Sequence, residues 1–175
     1  ILSSLVGSEM CIRDSLRGAL RSGTTHLEAK SGYGLDTASE LRLLRLAEQL
    51  NGIDHLPTID PTWMGAHDVP SGATATDYVE SLLSEQLPAV VDQGIARSAD
   101  VFCEPGWFTV EQSEDVLKAS RNANLDLRMH VDEFVDGGGG DLAAALGVTT
   151  ADHAYHTSME TVSYTHLTLP TMQVV

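Results

Sequence analysis

Segments typical of buried strands alternate with helix-forming segments along most of this chain, and this alternation narrows the folds open to it. Strands are predicted over residues 24–29, 55–64, 100–103, 125–130 and 148–153. Helices are predicted between them, over residues 37–50, 77–94, 109–122 and 141–146. Strands that alternate with helices pair in parallel through right-handed crossovers. The sequence therefore predicts an α/β fold with about five strand–helix units.

Local signals give the expected ends of the helices. Thr37 is the expected N-cap of the first helix, where Glu40 completes a capping box, and Thr109 caps the third helix in the same way. Asp77 is expected to open the second helix. The glycines at residues 137–140 predict a mobile lid or connector, since they lack the Lys-Ser/Thr pair of a phosphate-binding loop.

Polar side chains cluster just after the predicted strands. They lie at Lys30 to Tyr33, His67 and Asp68, Glu104, His130 to Glu133, and Asp152 and His153. Parallel barrels place their chemistry at this carboxyl end, whereas a dinucleotide-binding sheet needs a Gly-x-Gly-x-x-Gly motif that is absent here. A complete TIM (β/α)8 barrel needs about 250 residues. The 175 residues of this chain therefore predict part of such a barrel.

The charge balance argues against two classes of partner. Asp and Glu number 25 and Lys and Arg number 10, which gives a net charge of −15. Nucleic acids and anionic membrane surfaces are both bound through cationic side chains.

The sequence has no run of about 18 apolar residues that predicts a transmembrane helix. Two cysteines are too few for a disulfide framework or a thiolate zinc site, and a cytoplasmic setting is expected.

The two ends differ from the middle of the chain. Residues 162–175 contain no charged side chain, although 20% of the whole chain is charged. Both this stretch and residues 1–15 resemble translated sequencing-adapter DNA. We expect both ends to be artefacts or disordered tails. Residues 16–161 are then the barrel part.

Two short motifs carry the strongest chemical signal. His130 ends a predicted strand, where a neutral imidazole can bind a metal, and the carboxylate of Glu133 follows within reach of acid–base chemistry. His153 ends the next strand, so a barrel brings it to the same opening. Spacing alone leaves a hydrogen-bonded, structural role open for each of these residues.

Two further candidates lie in loops after strands. Tyr33 stands between two glycines, which allow the backbone to approach a ligand closely. His67 follows the second predicted strand; an ordinary turn explains either residue equally well. Cys103 is expected in the core, and no Gly-x-Ser-x-Gly motif indicates a serine hydrolase.

Five ordered motifs resemble the imidazolonepropionase family of the amidohydrolase superfamily. They are KSGYGL at residues 30–35, GAHDVP at 65–70, DVFCE at 100–104, HVDEF at 130–134 and ADH at 151–153. The resemblance covers residues 16–160. It implies a metal-dependent hydrolase barrel and hydrolysis of 4-imidazolone-5-propanoate to N-formimidoyl-L-glutamate in histidine degradation.

The resemblance also implies roles for individual residues. His130 looks like a ligand of the single zinc or iron ion, and Glu133 like a catalytic residue that contacts the substrate ring and moves protons. His153 looks like the catalytic histidine that stabilises the developing charge. Tyr33 and His67 look like substrate-binding residues. A small-molecule substrate and a homodimer of the full-length enzyme are the expected partners.

The family's other three metal ligands and its substrate-binding arginine find no match in residues 16–161. A single imidazole does not hold a catalytic metal with useful affinity, so we expect this chain alone to be inactive. Two alternatives stay open. One is a non-enzymatic truncated or chimeric barrel remnant, and the other is a related amidohydrolase that acts on another cyclic amide.

Overall fold

The computed structural model describes the backbone of residues 2–164 and the side chains of residues 12–163. Its strands are β1 (His26–Lys30), β2 (Thr58–Ala66), β3 (Ser98–Cys103), β4 (Asp126–Val131) and β5 (Thr150–His153). Its helices are α1 (Leu2–Arg21), α2 (Thr37–Leu50), α3 (Ala75–Ser81), α4 (Leu87–Gln93), α5 (Val110–Asn122), α6 (Gly139–Leu146) and α7 (Met159–Tyr164). A π-helical turn, Leu82–Gln86, joins α3 to α4.

The five strands form one parallel sheet in the order in which they occur along the chain. Helices lie between successive strands, as the alternation predicts. This arrangement is a curled half-barrel, and it confirms the prediction of a partial (β/α)8 barrel with about five units. Within residues 2–164, no helix has both the length and the apolar character needed to cross a bilayer.

The sheet carries its apolar core on the face that packs against the helices. Alternate strand residues point to that face because side chains alternate along a strand, and they include Trp63, Val101 and Met129, each at most 1% exposed. Leu82 and Leu117 from the helical layer join the same cluster. Burial of these large side chains is the main stabilising contribution to the half-barrel.

The opposite, concave face of the sheet is charged. Arg128 lies with its Nε 3.2 Å from Glu28 and its Nη2 3.0 Å from Asp60. Lys30 lies 3.6 Å from Glu28 through its Nζ, and it continues the network to Asp100. Charges withdrawn from water need such partners, so this face is built from compensating pairs.

The structure corrects the predicted N-cap of α2 and the predicted start of α3. Asp36, rather than Thr37, caps α2 by accepting a hydrogen bond from the backbone N–H of Ser39. Glu40 makes no capping box, because its buried carboxylate accepts the N–H groups of Gly32 and Gly34 instead. Helix α3 begins at Ala75, two residues before the predicted start at Asp77, and is capped by Thr74. The capping box of Thr109 and Gln112 on α5 is confirmed.

The glycine run at residues 137–140 is not a free connector. Gly139 and Gly140 belong to the first turn of α6. The backbone N–H groups of Gly137, Gly139 and Gly140 all donate to the carboxylate of Asp132. A side chain at Gly140 has no room, since its Cβ would lie 2.6 Å from Thr157 Cγ2 and 2.8 Å from Asp132 Oδ2. The glycines therefore let the backbone close around a buried anion.

Helices α1 and α7 lie across the two predicted boundaries of the ends, at residues 15 and 162. Helix α1 runs through residue 15 without a break, and Leu16 packs with Leu50 and Ile59 in a small second cluster. At the other end, α7 extends to Tyr164, and residues 165–175 lie outside the described part of the chain. The adapter origin of residues 1–15 and 162–175 stays a prediction.

Candidate functional site

A cleft of about 490 Å³ opens at the carboxyl ends of the strands. Its lining residues are Tyr33, His67, Asp68, Phe102, Trp107, His130, Glu133, Phe134 and His153. All five of the site residues expected from the sequence line this cleft. They come from the ends of four different strands, which matches the placement of chemistry in parallel barrels.

The rings of the expected site residues form a continuous row. The ring centroid of His67 lies 5.3 Å from that of Tyr33 and 4.7 Å from that of His130. His130 lies 5.3 Å from His153 in turn. Tyr33 and His153 also have left-handed backbones, with φ of 57° and 68°. Such conformations cluster at functional sites, where the surrounding structure holds them in place.

His130 is held by a buried carboxylate. Its Nδ1 lies 2.9 Å from Oδ1 of Asp100, whose side chain is fully buried in β3. The other oxygen of Asp100 accepts a hydrogen bond of 2.6 Å from Lys30 Nζ. Burial on its own raises the pKa of Asp100, but the contacts with His130 and Lys30 outweigh it and hold this pKa below its ordinary value. Asp100 is therefore an anion that orients the imidazole.

Asp152 completes a group that is able to hold a cation. One ligand atom from each of Asp100, His130 and Asp152 lies within 4.8 Å of the others. Lys30 Nζ donates to Asp152 Oδ2 at 2.6 Å, so one ammonium bridges both carboxylates and leaves them with a net negative charge. Burial lowers the pKa of Lys30, and the facing carboxylates outweigh this and raise it, so the ammonium keeps its charge. Nε2 of His130 lies 3.8 Å from Asp152 Oδ2, beyond hydrogen-bond length, and is available to a metal.

The donors of Asp100, His130 and Asp152 fit a bound metal ion. An imidazole with one nitrogen fixed by a carboxylate is the usual arrangement of a metal-bound histidine. Imidazole and carboxylate donors suit zinc and iron equally. His130 offers one such donor, and Asp100 and Asp152 add carboxylate oxygens beside it.

Glu133 and His153 face each other across the cleft. His153 Nε2 lies 3.5 Å from Glu133 Oε2. The loop that carries Glu133 is held by Glu104, which is 2% exposed and accepts the backbone N–H groups of Glu133, Phe134 and Val135. Three N–H donors on one buried carboxylate fix the direction in which the Glu133 side chain leaves the loop.

His67 has no hydrogen-bond partner among the described residues. Both of its ring nitrogens are buried from solvent. Burial is the main cause that lowers the pKa of His67 to about 4, and the neighbouring His130 adds to it. The ring is therefore neutral near pH 7, with one nitrogen able to donate a hydrogen bond and one able to accept.

An aromatic wall formed by Phe102, Trp107 and Phe134 was not expected from the sequence. The ring centroids of Phe102 and Trp107 lie 5.0 Å apart, and those of Trp107 and Phe134 lie 5.8 Å apart. Trp107 is 37% exposed and Phe134 is 54% exposed, which is high for side chains of this size. One signal for this wall was available in the sequence. Phe102 lies two residues after Asp100 in β3, and side chains two apart share a face of the strand.

The remaining expectations concern residues outside the cleft. Cys103 is buried in the core as expected, and burial raises the pKa of its thiol. His156 is exposed. Neither residue contributes to the cleft.

Comparison with known proteins identifies relatives along most of the chain. No family model matches it. It is 46% identical over 143 residues to a protein of Haloarcula marismortui named imidazolonepropionase, a match that covers 82% of this chain and 34% of that protein. Imidazolonepropionases of Alkaliphilus metalliredigens and Syntrophobacter fumaroxidans are 48% and 45% identical, over 83% and 90% of this chain and 35% and 39% of theirs.

The chain spans about a third of the length of these curated relatives. These matches cover 82–90% of this chain and confirm the predicted resemblance. Along this matched stretch, the chain belongs to the imidazolonepropionase family.

Proposed function

We propose that the protein to which this half-barrel belongs is a metal-dependent hydrolase that opens the ring of 4-imidazolone-5-propanoate and yields N-formimidoyl-L-glutamate, in histidine degradation. One observation carries the proposal. The five residues to which the family resemblance gives roles all line a single cleft at the carboxyl ends of the strands. The family name of the relatives supports the same reaction.

His130 would hold a zinc or iron ion through Nε2. When bound, such an ion supplies a Lewis acid and lowers the pKa of a coordinated water toward neutrality. Asp100 holds the other ring nitrogen of His130 and fixes the direction of Nε2. The carboxylates of the concave face favour positive charge at this position.

Glu133 and His153 would handle protons and developing charge. Their facing atoms, 3.5 Å apart, allow a proton to be held between a carboxylate and an imidazole close to the reacting ring. We assign the protonation of the leaving ring nitrogen to Glu133. We assign stabilisation of the charge on the attacked carbonyl oxygen to His153.

The cleft fits a small planar substrate. Its volume of about 490 Å³ lies within the range of small-molecule sites. Neutral His67 presents an unpaired donor and an unpaired acceptor, which suits a ring that carries both N–H and C=O groups. The side chain of Tyr33, which is 65% exposed, stands at the rim with its hydroxyl available to the substrate.

Two further parts of the proposal concern the setting of the protein. We propose that the protein is cytoplasmic, because the buried Cys103 is a free thiol, as is usual in a reducing compartment. A homodimer of the full-length enzyme stays a prediction. The 175-residue chain alone is proposed to be inactive, since His130 is the only one of the family's metal ligands that the resemblance matches in residues 16–161.

Steady-state hydrolysis of 4-imidazolone-5-propanoate by the full-length protein, obtained by extending the reading frame, tests this proposal. We expect Glu133→Gln to lower kcat by about 10²–10⁴-fold, because it removes a general acid–base group. Glu114→Gln, on an exposed face of α5, is the matched control and should keep full activity. A full-length protein without turnover would favour a barrel remnant. Turnover of another cyclic amide alone would favour a related amidohydrolase.

A further inference from the structure

We propose that Lys30 and Asp100 act together as positioning residues that set which nitrogen of His130 carries the proton. Lys30 holds one oxygen of Asp100, so the other oxygen must accept from Nδ1–H of His130, and Nε2 is left bare toward the cleft. This inference rests on the proposed function only in the use made of Nε2. The arrangement itself belongs to residues described here.

Each carboxylate oxygen of Asp100 has its own hydrogen-bond partner. Its Oδ2 lies 2.6 Å from Lys30 Nζ and its Oδ1 lies 2.9 Å from His130 Nδ1. The Asp100 side chain is fully buried, so water does not compete for either oxygen. An ionised carboxylate only accepts hydrogen bonds, and the nitrogen of His130 that faces it must therefore be the protonated one.

Lys30 is itself fixed from two further sides. Its Nζ donates to Asp152 Oδ2 at 2.6 Å and lies 3.6 Å from Glu28 Oε2. Three carboxylates around its ammonium keep Lys30 next to Asp100. Asp152 also lies 3.8 Å from His130 Nε2, beyond hydrogen-bond length, so it does not compete for that nitrogen.

The isosteric substitution Asp100→Asn is expected to change which nitrogen of His130 carries the proton. In Asp100→Asn, the amide has one acceptor oxygen and one donor NH₂ group. The ammonium of Lys30 can only donate, so it pairs with the amide oxygen and the NH₂ group turns toward His130. Nδ1 then has to accept a hydrogen bond, and the proton moves to Nε2. The side chain keeps its shape, but the atom proposed to bind metal is blocked.

Removal of Lys30 in the same background should reverse the effect. In the double variant Lys30→Met/Asp100→Asn, no ammonium orients the amide, and its oxygen is free to accept from Nδ1–H. Asp152→Asn is the matched control, because it alters another of the carboxylates on Lys30 and leaves the contact of Asp100 with His130 intact. Recovery of one tautomer by a second substitution is a result that a merely structural role would not give.

The test uses the 175-residue chain labelled with ¹⁵N at histidine, without metal, at a pH of about 9, above the ordinary pKa of imidazole. Long-range ¹H–¹⁵N correlations report the tautomer, and His130→Gln identifies the signals of His130. We expect protonated Nδ1 in the wild type, in Asp152→Asn and in the double variant, and protonated Nε2 in Asp100→Asn. Protonated Nε2 in the wild type, or an unchanged tautomer in Asp100→Asn, would overturn the proposal.

A second measurement separates this inference from the proposed function. In the full-length protein, Asp100→Asn should weaken Zn²⁺ binding by about 10- to 100-fold, the usual cost of losing the residue behind a ligand. A wild-type protein that shows the expected tautomer but takes up no metal would refute the proposed function alone. A metal-loaded, active protein in which Asp100→Asn changes neither tautomer nor affinity would refute this inference alone. If Asp100→Asn fails to fold, the wild-type tautomer still decides.

Discussion

At the scale of single residues, the cleft is distinguished by buried polar atoms that lack hydrogen-bond partners within the described residues. Buried polar atoms normally have hydrogen-bond partners, and exceptions call for an explanation. Both ring nitrogens of His67 lack one within the described residues, and the ring is packed against Phe102 at 5.0 Å. A ligand that supplies the missing partners is the explanation that the proposed function offers.

The lowered pKa of His67 makes stability depend on pH. The unfolded chain binds a proton at this histidine below pH 6.5, whereas the folded chain does so only below about pH 4. Unfolding therefore takes up a proton between these values, and stability falls as the pH is lowered from 6.5 to 4. The shift corresponds to a loss of up to roughly 3 kcal/mol.

His67→Phe should remove this part of the pH dependence, since phenylalanine keeps the stacking on Phe102 but binds no proton. Urea unfolding of both proteins between pH 4 and pH 8 checks the prediction. The two free energies of unfolding should differ most in their slope between pH 4 and pH 6.5. Equal slopes in the two proteins would show that His67 titrates normally in the folded state.

At the scale of elements, two buried carboxylates shape the loop between β4 and α6. Glu104 accepts three backbone N–H groups at the start of this loop. Asp132 accepts three more at its end and the hydroxyl of Thr157. Hydrogen bonds to a charged acceptor are stronger than neutral ones. The loop that carries Glu133 is therefore part of the rigid frame of the cleft.

Glu104→Ala should destabilise the chain by about 2–4 kcal/mol, since it leaves three N–H groups without an acceptor in a buried position. Glu104→Gln keeps one acceptor oxygen and should cost less. Denaturant unfolding gives the energies, and hydrogen exchange should be fastest at Glu133, Phe134 and Val135.

The control for this loss is again Glu114→Gln, which removes only an exposed ion pair with Lys118. Such a pair contributes less than about 0.5 kcal/mol. Equal stability of Glu104→Ala and Glu114→Gln would contradict the role given to Glu104.

The sequence predicts elements well and long-range polar contacts poorly. Strand and helix positions follow from the local pattern, and the polar residues after each strand mark the correct edge of the sheet. The contact of Lys30 with Asp152 joins residues 122 positions apart, and that of Glu104 with Glu133 joins residues 29 apart. No local pattern encodes such pairs. Glu40 shows the same limit, since its spacing fits a cap but its carboxylate is used by the preceding loop.

At the scale of the whole molecule, the described chain is an open sheet rather than a closed barrel. β3, in the centre, is buried at every position, whereas β1 and β5 are only partly buried. Among the described strands, each of these outer two pairs on one side only. Unpaired edges are sites at which further strands add.

The 175-residue chain should therefore self-associate through its sheet edges. Sedimentation velocity over a range of protein concentrations checks this prediction, with species larger than a monomer expected to increase with concentration. A chain that stays monomeric and unfolds in one sharp transition throughout that range would contradict it.

We propose that the cleft around His130 is half of a metal-dependent catalytic site. Its most direct test is the metal content and the hydrolysis of 4-imidazolone-5-propanoate measured on the same samples of the full-length protein and its His130→Ala variant, with the exposed His55→Ala as control. We predict about one zinc or iron ion per chain and turnover in the wild type and in His55→Ala, and loss of both in His130→Ala. Full metal content and activity in His130→Ala would show that His130 neither binds the metal nor contributes to turnover.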